Sequence, residues 1–116
     1  MRLYQTKGFA RFARRERIST RSLREAVRRA ERGLIDADLG GGVIKQRIAR
    51  EGEGRSGGYR TLIFYRQGLR TIFVDGFAKS DLDNISRSDV SRLKALAMEF
   101  LNYDGRQVAE LVKSGA

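Results

Sequence analysis

The chain of 116 residues contains neither cysteine nor histidine. Without cysteine it has no disulfide and no thiolate chemistry. Without histidine it loses most zinc sites, the Ser-His-Asp triad and the histidine acid–base pairs of many ribonucleases. Any catalysis must run on Lys, Arg, Tyr, Asp, Glu, Ser or Thr. Proline is absent too, and no internal repeat is visible. No apolar run approaches the roughly 20 residues of a membrane span. The N-terminus lacks the apolar core of a signal peptide, so a soluble cytoplasmic protein with no membrane partner is expected. One domain over residues 1–116 suits this length, and it can bury roughly two-thirds of its unfolded surface without a metal, cofactor or disulfide.

What the chain has in abundance is positive charge. There are 24 basic and 14 acidic residues, a net charge of +10. Five of the basic residues are lysines, at positions 7, 45, 79, 94 and 113, and the rest are arginines. Residues 1–58 carry 15 basic and 7 acidic residues (+8), against 9 and 7 (+2) in residues 59–116. The first half is therefore the stronger electrostatic face, and the charge calls for an acidic partner: a nucleic acid, an anionic membrane surface or an acidic protein.

The periodicities give an α+β reading. Residues 1–5 fit a short strand and 7–16 a helix with Phe9, Phe12 and Ala13 on one face. Ser22 and Glu25 fit a capping box that opens a helix to about Arg32, with Gly33 after its end. The face opposite its apolar stripe carries Arg21, Arg24, Arg28, Arg29 and Arg32. Gly40–Gly42 read as a flexible break, Val43–Ala49 as a strand and residues 50–58 as a glycine-rich loop. Strands over 59–66 and 69–77 flank a tight turn at Gln67-Gly68. Ser86 and Asp89 start a helix whose stripe is Val90, Leu93, Leu96, Ala97, Phe100 and Leu101. Asn102–Gly105 read as a turn before a last short helix ending near Val112.

Three local patterns have ordinary explanations. Gly52-Glu53-Gly54-Arg55-Ser56-Gly57 spells GxGxxG, but a strand rather than a helix follows it, so it is no dinucleotide site. The helix pair is no helix-turn-helix, because its connector is long and lacks glycine. Asp75, Asp81 and Asp83 lack the glycine and terminal glutamate of a calcium loop, so no metal is expected. The informative stretch is Val43 to Lys79, VIKQRIAREGEGRSGGYRTLIFYRQGLRTIFVDGFAK. Lys45 and Arg47 share one strand face, Arg50 and Arg55 lie in the loop, Arg60 starts the next strand, and Lys79 follows the third. If these strands are neighbours, the cations converge on one patch suited to phosphates.

Residues GGYRTLIFYRQGLRTIFVDGFAKSDLDNIS resemble the RelE/HigB superfamily of bacterial type II toxins, most closely the phage-derived Gp49-like branch. The resemblance covers about residues 40–102 and rests on the GGYR strand start, the GFAK segment and the Asn-Ile-Ser helix start. It implies a RelE-like fold, with an N-terminal strand and helix pair packed on a mainly antiparallel twisted sheet and helices at the C-terminus. It also implies a toxin neutralised by a cognate antitoxin. Relatives enter the ribosome and cut mRNA by attack of a ribose 2′-hydroxyl on the adjacent phosphate. By motif, Lys45, Arg47, Arg60 and Lys79 would be the catalytic set. Arg60 would hold the scissile phosphate, Lys45 would take the 2′-hydroxyl proton and Lys79 would return one to the leaving oxygen. Arg50, Arg55 and Tyr59 would contact RNA. The chain departs from many cleaving relatives in having no histidine and only Tyr103 as a tyrosine after Tyr65. Two alternatives stay open: a toxin of this fold acting on a protein such as DNA gyrase, and a basic nucleic-acid-binding module.

Overall fold

Two side-chain hydroxyls fix where the helical pair begins. In the computed structural model, which describes residues 2–50, 54–66, 70–77 and 87–102, strand β1 (Arg2–Gln5) runs into helix α1 (Lys7–Arg15). Thr6 stands between them in an extended conformation, and its Oγ1 accepts from Phe9 N. Helix α2 (Thr20–Glu31) begins at Ser19, whose Oγ accepts from Ser22 N at 3.2 Å. The capping box expected at Ser22 is therefore corrected: a serine one turn earlier takes the cap, and Ser22 lies inside the helix. Gly33, at φ +81°, ends α2 as expected, because only glycine adopts this left-handed conformation without strain.

The sheet follows as β2 (Ala37–Gly40), β3 (Val43–Arg50), β4 (Gly54–Arg66) and β5 (Arg70–Phe77), with helix α3 (Arg87–Leu101) after it. The spatial order is β1-β5-β4-β3-β2; β1 lies parallel to β5 and the other neighbours are antiparallel. The fold is thus α+β, as the pattern predicts. The expected turn residues Gln67 and Gly68 lie outside the described residues, as do Lys79, Asp81, Asp83, Tyr103 and the expected last helix. Two expectations are corrected. The glycine break at Gly40–Gly42 borders an additional strand, β2, and the glycine-rich loop is mostly strand, since β4 starts at Gly54 and pairs Gly54 with Arg50. Glycine has low β propensity, but ladder pairing along β3 overrides it.

Alternation sends the apolar residues of the sheet to both faces. Ile44, Ile48, Ile63 and Phe73 meet Phe9, Phe12, Leu23, Ala26, Val27 and Ala30 of α1 and α2. Val43, Leu62, Phe64 and Ile72 meet Ala97 and Leu101 of α3. Each fully buried Phe, Leu or Ile contributes about 1.5–3 kcal/mol by leaving water. Leu96, expected in the α3 stripe, is 40% exposed. Gly76 lets α1 approach the sheet, because a Cβ there would lie 2.2 Å from Phe12 Cε2.

One irregularity shapes the open side of the sheet. Leu62 pairs with Asp75 but Ile63 pairs with Phe73, so Val74 is an extra residue in β5. This β-bulge reverses the alternation beyond it. The Val74 carbonyl accepts from Thr6 Oγ1 at 3.0 Å, and the Phe73 carbonyl accepts from Thr6 N at 3.0 Å. The cap residue of α1 thereby holds the bulge in place.

Candidate nucleic-acid interface

Register brings three of the four basic residues singled out by the sequence onto one face. Arg47 of β3 is paired with Arg60 of β4, and Arg60 with Phe77 of β5. The next row on the same face is Lys45, Leu62 and Asp75, and the row after it is Val43, Phe64 and Ile72. The last row is buried against α3, whereas Arg47 is exposed and Lys45 and Arg60 are half-buried. Paired residues on adjacent strands have Cβ atoms about 4.5–5.5 Å apart, so Arg47 and Arg60 are immediate neighbours.

Among the described residues none of these three cationic groups has an acidic partner. Arg60 goes further: its Nη1 is buried and has no hydrogen-bond partner. A buried guanidinium donor without an acceptor is costly, on the order of 1–3 kcal/mol or more for a charged group. Like charges opposite each other on neighbouring strands add to that cost. The arrangement is relieved by an anion whose oxygens meet the guanidinium fork. Concentrating unpaired charge on a rigid sheet also raises the potential felt by an approaching polyanion.

Arg29 shows the opposite design. The sequence places it on the face of α2 opposite the apolar stripe, but it is only 3% exposed. Its Nη1 lies 3.3 Å from Asp36 Oδ2 and its Nε 3.2 Å from Glu25 Oε1, while its Nη2 donates to the Arg47 carbonyl. Asp36 Oδ2 also accepts from Arg47 N at 2.7 Å. Gln46, fully buried, donates from Nε2 to the Ala26 carbonyl at 2.9 Å, and its Oε1 accepts from Asp36 N at 2.7 Å. Thr61 Oγ1 donates to the Gln46 carbonyl at 2.8 Å. The backbone that carries Arg47 is thus pinned by α2 from behind. Periodicity could not reveal Arg29 and Asp36 as positioning residues. A polar Gln46 on the inward face between Ile44 and Ile48 was the available signal.

The remaining expected site residues are placed differently. Tyr59 is 6% exposed on the helix side of the sheet, edge-on to Phe12, with its hydroxyl donating to Glu16 Oε1 at 2.9 Å. It does not share the face of Lys45, Arg47 and Arg60. Arg50 and Arg55 have their backbones at the far end of the β3–β4 pair. Lys79 lies outside the described residues. Asp75, not among the expected site residues, is exposed, and partial desolvation by the protein around its carboxyl raises that group's pKa. Among the described residues no group of three His, Cys, Asp or Glu side chains could hold a metal ion. No described helix is long and apolar enough to cross a membrane.

A family model described as the RelE toxin of the RelE/RelB toxin–antitoxin system matches residues 1–116. No curated protein matches the chain. That description makes the toxin one half of a two-protein system, which implies an antitoxin partner. With the match running from the first residue to the last, over an α+β fold, the chain belongs to the RelE toxin family.

Proposed function

We propose that this toxin is a ribosome-dependent mRNA endoribonuclease of the HigB type that stops translation in the cytoplasm until its antitoxin binds it. The GGYR, GFAK and Asn-Ile-Ser motifs favour the Gp49-like branch, with residues 1–116 as one toxin domain. The observation that carries the reading is the buried, unpartnered Nη1 of Arg60 beside the unpaired side chains of Arg47 and Lys45. Arg60 grips the scissile phosphate and stabilises the charge that builds on its equatorial oxygens. Arg47, held by the Arg29–Asp36 network, takes a neighbouring phosphate, with Arg50 and Arg55 further along the strand. Lys45 exchanges a proton at the reacting centre, and Lys79 remains a candidate for the same work. Cleavage yields a cyclic phosphate and a free 5′-hydroxyl, which needs no metal or cofactor in the reaction.

The test is induction of the chain in bacteria followed by mapping of RNA 5′ ends. New ends within translated codons are expected, and Arg60→Ala should abolish both the cuts and growth arrest. Arg60→Ala also removes the cost of a buried donor without an acceptor, so that variant should fold at least as stably as the wild type, and a melting curve beside the cleavage assay checks this. Growth arrest with intact transcripts and damaged DNA would instead point to a protein target such as gyrase. A soluble Arg60→Ala protein that still cuts would remove the site.

A further inference from the structure

The bulge in β5 has a second consequence. Phe73 faces α1, so strict alternation would turn Asp75 toward α1 as well. The extra residue Val74 puts Asp75 in the row of Leu62 and Lys45 instead, on the side of the sheet that carries the free cations. It also puts Gly76 rather than a carboxylate under Phe12. Relative to Arg60, Asp75 is the diagonal neighbour on the adjacent strand, a separation of about 7–8 Å. Its carboxylate makes no ion pair and no hydrogen bond among the described residues. Among the described strand residues it is the one carboxylate on that face.

In a chain without histidine, the proton on the attacking hydroxyl needs an acceptor. Arginine stays protonated, and an ammonium is a donor until it has itself lost a proton. We infer that Asp75 is the general base of the cleavage reaction, with Lys45 as the general acid. This rests on the reading of the face as an RNA-cleaving site. The 2′-oxygen forms a bond to phosphorus while the bond from phosphorus to the 5′-oxygen breaks. The 2′-hydroxyl proton passes to the Asp75 carboxylate, and the Lys45 ammonium gives a proton to the departing 5′-oxygen. Solvent then restores both groups. Asp75 is solvent-exposed as a residue, but the protein atoms beside its carboxyl partly desolvate it, which raises its pKa and strengthens it as a proton acceptor. The charged and titratable groups that register puts on the same face of the neighbouring strands are Arg60 on β4, Lys45 and Arg47 on β3, and Tyr4 on β1.

The experiment is single-turnover cleavage of a short mRNA on programmed ribosomes by the purified full-length protein, from mildly acidic to mildly alkaline pH. The wild-type rate should rise as Asp75 ionises and then level off. Asp75→Asn should lower the plateau by about 10²–10⁴-fold and remove the acidic limb. Its binding to a 2′-deoxy version of the same oligonucleotide, which cannot be cut, should be unchanged. Asp75→Glu should recover part of the rate together with the limb. A purely structural role would lower thermal stability or weaken binding and leave the limb in place. The assignment is overturned if Asp75→Asn keeps the wild-type rate and limb while Arg60→Ala is inactive; the cleavage site would then survive without this base. If the wild type does not cut at all, the cleavage reading fails and takes the Asp75 assignment with it.

Discussion

Replacing Arg29 by methionine tests whether the cation cluster is held from behind by a buried charge. Methionine keeps the stem's packing against α2 and the sheet and deletes the guanidinium. Three interactions go with it. The contact with Glu25 is with a side chain 48% exposed and adds little. The contact with Asp36, 28% exposed, is a charge-assisted hydrogen bond of about 1.5–3 kcal/mol, reduced by solvent access. The third leaves the Arg47 carbonyl short of one donor, at about 1–3 kcal/mol. Allowing for relaxation, the expected loss is about 3 kcal/mol, a large share of the 5–15 kcal/mol typical of a domain. Near the midpoint this lowers Tm by roughly 10 °C. Thermal and urea unfolding followed by circular dichroism would measure it. Arg29→Lys should recover little, because one ammonium cannot serve Asp36 and the Arg47 carbonyl in the same fork geometry. Cleavage should fall even at temperatures where Arg29→Met stays folded, since the backbone carrying Arg47 loses its brace. A loss below about 0.5 kcal/mol with unchanged cleavage would refute the argument.

Two further substitutions probe the scaffold. Gly76→Ala places a methyl 2.2 Å from the Phe12 ring and should destabilise by about 1–3 kcal/mol, with partial recovery when Phe12 is also replaced by leucine; denaturant midpoints would show this. Tyr65 carries a buried hydroxyl with no hydrogen-bond partner, so Tyr65→Phe should be neutral or stabilising by about 1 kcal/mol in the same assay. Its pKa is raised above the ordinary 10.0, first by burial and then by the Glu31 charge. The unfolded chain therefore ionises first, so stability falls as pH rises above 10 toward the folded value, and Tyr65→Phe should blunt that loss.

The element order was largely legible because local patterning carries it. Phe9, Phe12 and Ala13 have helical spacing, and Ile44 and Ile48 have strand spacing on one face. Ser19 and Ser22 are equally good hydroxyl caps for α2 by sequence, and only the backbone conformation of Ser19 selects it. Strand β2 has no local signature, because its four residues include Asp38 and Gly40, and it exists through pairing with β3. Lys45, Arg47 and Arg60 could be nominated from motif and alternation, yet their sharing of one face needed the register. Tyr59, next to Arg60 in sequence, points into the opposite layer for the same period-2 reason.

By itself the sequence determined the helices, the main strands and the concentration of positive charge, because propensity, spacing and net charge are properties of neighbouring residues. Only the tertiary structure decided which arginines are satisfied and which are left open. Arg29 is ion-paired with Asp36, seven residues away along the chain, whereas Arg60 has no acidic partner among the described residues. It also decided, through one extra residue in β5, that Asp75 lies on the cationic face. Burial and register depend on contacts between distant segments, and no local pattern encodes them.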